Sequence, residues 1–75
     1  MITRENLIQR VQVHDINNWI HESKSIRFQN TWDMFKRELQ DGDEIWSYRI
    51  HKPERQGYCI LRQGKVTHNF QTASE

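Results

Sequence analysis

At Gly42 the spacing of apolar residues changes, and no other feature of the chain limits its fold as much. Before it, apolar side chains recur with the period of a helix; after it they alternate, as in a strand facing a core on one side. A helical half followed by a strand half in 75 residues predicts one α+β domain. The expected architecture is two or three short N-terminal helices followed by a three-stranded antiparallel β-meander, with the helices packed on one face. The helical part spans about residues 3–40 and the meander about 44–70, with a frayed tail over 71–75.

In the second half, "EIWSYRI" places Trp46, Tyr48 and Ile50 on one face and Ile45, Ser47 and Arg49 on the other. "HKPERQ" holds the only proline and reads as a polar loop. "GYCILR" and "KVTHNF" flank Gln63-Gly64, a two-residue hairpin signal. Counting outward from that turn sets Leu61 opposite Val66, Ile60 opposite Thr67, Cys59 opposite His68 and Tyr58 opposite Asn69. One face then carries Cys59, Leu61, Val66, His68 and Phe70, the better core face. The other carries Tyr58, Ile60, Arg62, Lys65, Thr67 and Asn69.

In the first half, Thr3 can cap a helix bearing Leu7, Ile8 and Val11, and Asp15 a second one bearing Ile16, Trp19 and Ile20. The two could equally be one bent helix. "SKSIRFQ" stays open between strand and helix, since Ile26 and Phe28 alternate. The third helix is expected to begin after Asn30, with Asp33 completing a capping-box-like start. Trp32, Phe35 and Leu39 form its apolar stripe, and Gly42 takes the C-terminal slot.

The first "DGDEIWSYR" and then "GYCILRQGKV" resemble a group of short, uncharacterised bacterial proteins. These share a helix ending in Gly, an acidic pair leading into Ile/Leu-Trp-x-Phe/Tyr, and then Gly-Tyr-x-x-x-Arg-x-Gly-x-Val. The resemblance covers Leu39 to Val66. It implies the same fold and a bacterial or phage-like origin, and carries no activity with it.

Composition narrows the function classes. A chain of this size buries only about 60% of its unfolded surface, and only 35% of its residues are apolar, so the three Trp, three Phe and two Tyr must supply much of the core. A single cysteine, Cys59, excludes an internal disulfide framework and fits a reducing compartment. The formal net charge is +1, which gives no overall field for nucleic acid or membrane. "MITRENLIQR" lacks the apolar core of a signal peptide and the apolar runs are short, so a cytoplasmic protein without membrane contact is expected.

Five constellations have chemical potential. A thiol beside an imidazole, as Cys59 opposite His68 would be, is a minimal activated nucleophile or half a metal site. Without an orienting third group or a glycine-rich turn, a buried cysteine packed beside a histidine is the plainer reading. His14, His21, His51 and His68 are too scattered for a zinc motif. Asp41, Asp43 and Glu44 lack the alternating oxygens of a cation loop and read as a solvated turn.

The last two concern binding. Arg49, Lys52, Arg55, Arg62 and Lys65 face only Glu54 in their stretch, and Tyr58 beside Arg62 and Lys65 could stack a base and hold its phosphate. The same cations could simply protect sheet edges. Trp19, Trp32 and Trp46 exceed what so small a core needs, and strand register decides whether Trp46, Tyr48 and Ile50 point inward or form an outer patch.

The function expected from this reading is a non-catalytic protein-interaction module, with a protein partner or self-association through Trp46, Tyr48, Arg49, Tyr58, Arg62 and Lys65. An RNA- or single-stranded-DNA-binding domain is the alternative, and a Cys59/His68 enzyme the third. No cofactor and no metal are expected.

Overall fold

A computed structural model describes residues 2–74 and shows an α+β fold with one four-stranded antiparallel sheet. A single 3-10 turn, Arg4–Asn6, leads into β1 (Leu7–Val11), followed by α1 (Val13–Ser23) and α2 (Ile26–Arg37). Then come β2 (Glu44–His51), β3 (Glu54–Arg62) and β4 (Lys65–Ser74), with the strands in sheet order β1-β2-β3-β4.

The first expected helix is therefore a strand. The Thr3 N–H donates to Asn6 Oδ1 at 2.8 Å, but that cap closes only the one turn. Leu7, Gln9, Arg10 and Val11 instead pair with Tyr48, Ser47, Trp46 and Ile45 of β2, skipping Ile8. Five residues of mixed pattern have no strong preference of their own, and the open edge of β2 decides their state.

α1 takes the place of the expected second helix but starts three residues earlier, with Gln12 as its cap and Asp15 its third residue. The Gln12 N–H donates to Asp15 Oδ2 at 3.3 Å. Lys24, with φ of 56°, ends the helix. α2 begins five residues before the expected "TWDMFKREL": Ser25 Oγ accepts from the Phe28 N–H, so "SKSIRFQ" enters a helix, not a strand. Phe28 thereby joins Trp32 and Phe35 on one stripe. The helix ends at Arg37 with Glu38 as its cap, so Leu39 packs against the core from beyond the helix and Gly42, expected in the C-terminal slot, lies in the turn before β2.

The meander has two tight turns. "HKPERQ" shrinks to Lys52-Pro53 because β2 and β3 extend into it. At Gln63-Gly64 both residues have positive φ (52° and 80°), the geometry that a two-residue hairpin of this twist requires. The tail is not frayed, since β4 continues to Ser74; Glu75 lies outside the described residues.

Two register shifts in the β3–β4 ladder change which residues share a face. Leu61 pairs with Val66, but Ile60 pairs with His68, Cys59 with Asn69 and Tyr58 with Phe70, leaving Thr67 as an extra residue. Such a bulge inverts parity along the strand beyond it. The expected core face is thereby split. Phe70 and His68 go to the helix side with Tyr58 and Ile60, while Cys59, Leu61 and Val66 go to the opposite side.

The core lies between the helices and that first face. Ile16, Ile20, Trp32, Phe35, Ile45, Ile60 and Phe70 form it, with Val11, Val13, Phe28, Leu39 and Tyr58 packed around them. Phe70 is its hub, with its ring 6.1–6.4 Å from those of Phe28, Trp32, Phe35 and Tyr58. Burying a side chain of this kind contributes about 1.5–3 kcal/mol each. The Trp32 indole N–H donates to Asn17 Oδ1, which ties α2 to α1. Trp19 stays 38% exposed at the margin, against Phe28.

Candidate functional site on the uncovered sheet face

The far side of the sheet carries no helix. Pairing places Leu7 and Arg10 of β1, Trp46, Tyr48 and Ile50 of β2, and Cys59 and Leu61 of β3 on it. Val66, Asn69 and Gln71 of β4 complete it. Trp46 is thus on the outer patch, together with Cys59 and Leu61.

This face is apolar at its centre. Cys59 is 0%, Tyr48 2% and Leu61 8% exposed although no second layer lies over them. Their cover comes from one another and from half-buried neighbours: Leu7 opposite Tyr48, and Trp46 opposite Cys59. A hollow of about 240 Å³ opens beside Tyr48, bordered by Ile2, Ile50, Arg55, Val66 and Asn69. The polar groups sit at the rim. Arg10 lies 3.7 Å from Glu44, whose other oxygen accepts from the Trp46 indole N–H at 2.9 Å. Trp46 is thereby held in one orientation while part of it stays accessible.

Titration follows from burial. The Cys59 thiol is pushed up to about 11, because withdrawal from water disfavours the thiolate. Burial raises the Tyr48 phenol as well, partly offset by Asn69, whose amide reaches toward the Tyr48 hydroxyl. Neither group is poised to ionise at neutral pH.

The expected Cys59–His68 pair does not form. Cys59 lies opposite Trp46 and Asn69 on the bare face. His68, displaced by the Thr67 bulge, points to the helix side, with its Nε2 3.4 Å from Glu38. A one-residue register error had joined two groups that the sheet separates.

Of the six expected binding residues, the bare face brings together only Trp46 and Tyr48. Arg49 is on the helix side of its strand, in an ion pair with Glu54. Tyr58 is half-buried against the core, and burial raises its phenol. Arg62 shares that side with Lys65, but its guanidinium is engaged. Nε donates to Asp43 Oδ1 at 3.0 Å, and Nη2 to Asp43 Oδ2 and the Glu38 carbonyl, each at 2.9 Å. Asp43 is therefore no solvated turn residue; its side chain is 1% exposed, and the Arg62 hydrogen bond holds its carboxyl below the usual range. This clamp fixes the α2–β2 connection to the hairpin. Lys65, exposed at the hairpin end, is the member of the Tyr58–Arg62–Lys65 group that is left uncommitted.

Sequence reasoning missed Leu7, Arg10, Leu61, Val66 and Asn69 as members of this face. The first two were legible only if "LIQRV" was read with a period of two. Asn69 depended on the bulge, whereas Leu61 and Val66, opposite each other as expected, depended on which face the helices cover. Among the described residues, His, Cys, Asp and Glu nowhere gather in threes, and no helix is long and apolar enough to cross a membrane. No protein-family model matches the chain, and searches of curated proteins and of solved structures found no match.

Proposed function

We propose that this protein is a small non-catalytic accessory module that docks another protein on the bare face of its sheet, around Trp46. The observation that carries this reading is a sheet with one face under two helices and the other under none, where Trp46, Ile50, Leu7 and Val66 remain half-exposed around a buried apolar centre. An apolar patch with an aromatic anchor and a polar rim has the anatomy of a protein interface. The fold measures 33 × 30 × 17 Å, and a broad face of that size can supply the roughly 800 Å² per partner of a standard interface.

A catalytic role finds little support, since the only thiol is buried, raised to about 11, and separated from His68. A buried, unpaired cysteine suits a reducing cytoplasm. A nucleic-acid role would need Tyr58 and Arg62, which the core and Asp43 already occupy.

The test is a tagged capture from native lysate with and without nuclease, washed at rising salt. A defined protein that survives nuclease and tolerates salt is the expected result. Captured nucleic acid that vanishes on digestion, or binding that weakens steeply with salt, would replace this reading with the alternative.

A further inference from the structure

The free edge of the sheet on the hairpin side is β4, and a groove runs along it beneath α2. One stretch, of about 240 Å³, lies between Thr31 and Met34 of α2, with its C-terminal cap Glu38, and His68 and Asn69 of β4. The next, of about 350 Å³, lies between Arg27 and Thr31 of α2 and β4 from Phe70 to Ala73. Thr31 borders both, so the two form one channel along the strand.

The helix side above this channel reads Arg27, Thr31, Met34 and Glu38, a spacing that keeps all four on one stripe. Met34 is 65% exposed there. Arg27 has no ion-pair partner among the described residues, and Glu38 has only His68. Below, the β4–β3 ladder skips Thr67 and Thr72, so His68–Gln71 is a regular segment between two bulges, with its outer backbone groups facing an open edge.

We propose that this edge receives a second copy of the same chain. The two β4 strands add antiparallel across a two-fold axis near Asn69 and Phe70, giving one eight-stranded sheet with both α2 helices side by side above it. Main-chain hydrogen bonds along His68–Gln71 supply the pairing. The stripe on α2 argues for a second copy over an unrelated peptide, because it is charge-complementary to itself. A two-fold axis normal to the sheet sets α2 antiparallel to its copy, so that Arg27 at one end meets Glu38 of the partner at the other, twice over. Met34, 65% exposed in its own chain, then lies against the partner's Thr31. This edge adjoins the bare face at Asn69 and Gln71 but does not use Trp46, so either proposal can fail without the other.

Sedimentation equilibrium of the full chain at low salt, from about 1 μM to about 500 μM, tests it. The mass should approach twice the 9.2 kDa of one chain. Arg27→Glu alone, or Glu38→Arg alone, should weaken association about tenfold or more, because each sets like charges together at two places. The two substitutions combined should restore it to within about threefold of the unsubstituted chain. Both positions are exposed, and circular dichroism would verify that each variant is folded. A chain that stays monomeric throughout would overturn the proposal. So would a dimer indifferent to the single reversals, a double variant that fails to recover, or a dimer lost only on Trp46→Ala.

Discussion

The two faces of this sheet differ in what covers them more than in what they are made of. On the helix side, Ile45, Ile60 and Phe70 are buried by two helices and share a cluster of aromatic rings. On the other side, Tyr48, Cys59 and Leu61 are buried almost as deeply with no helix above them. Burial on the first face is completed by the chain itself. On the second it stops at a half-exposed shell of Trp46, Ile50, Leu7 and Val66, which a partner could complete. A small domain can thus spend its apolar residues on both sides of one sheet and still fold, provided one side has a full second layer.

The strongest way to break this comparison is to remove a side chain from each layer. Phe70→Ala should cost about 3–5 kcal/mol, because it deletes the ring around which the covered core is arranged. Urea denaturation would measure it, and a loss below 1 kcal/mol would mean that this core does not carry the fold. Gly57→Ala probes the sheet between the faces. A Cβ there would sit 2.1 Å from the Phe70 carbonyl oxygen, so backbone must shift, and a loss of about 2–3 kcal/mol is expected in the same assay. Trp46→Ala on the bare face should cost less, about 1–2 kcal/mol, because the residue is already partly in water and no helix packs over it. A loss as large as that for Phe70 would mean that Trp46 is core.

Two further predictions sharpen the chemistry of each region. In the folded state Asp43 titrates below its ordinary range, so its contribution to stability is present above the unfolded pKa near about 4 and is lost as the pH falls through the lower folded value. Asp43→Asn should therefore be less stable than the parent at neutral pH and should lose less on acidification from pH 5 to 2. Parallel pH–stability curves would show that the Arg62 clamp is not formed. The smallest expected signal is from Cys59, whose thiol should resist iodoacetamide at pH 8 until denaturant unfolds the chain. Fast labelling of the folded protein would mean that the bare face opens.

These regions were unequally legible in the sequence. The Trp32–Phe35 stripe and the Gln63-Gly64 turn are local signals and appear where local physics puts them. But α2 stops at Arg37 with Glu38 as its cap, so Leu39 follows the helix and Gly42 sits in the turn before β2 and not in the expected C-terminal slot. β1 is different. "LIQRV" is compatible with either period, and only the vacant edge of β2 makes it a strand. Thr67 is different again, because nothing local marks it as a bulge, and one inserted residue moves Phe70 to the core and separates His68 from Cys59. That single parity change also shaped the candidate site: it put Asn69 on the face of Cys59 and took His68 and Phe70 to the helix side, while the regular β2–β3 register sets Cys59 opposite Trp46.

The most direct test of the bare face compares two tryptophans that are each partly exposed on opposite sides of the sheet, Trp46 and Trp19. Capture from native lysate after nuclease treatment would be run with the parent chain, Trp46→Ala and Trp19→Ala, each first shown to be folded. The parent and Trp19→Ala should retain the same protein partner, and Trp46→Ala should lose it. Retention by Trp46→Ala together with loss by Trp19→Ala would place the working surface on the helices and contradict the account.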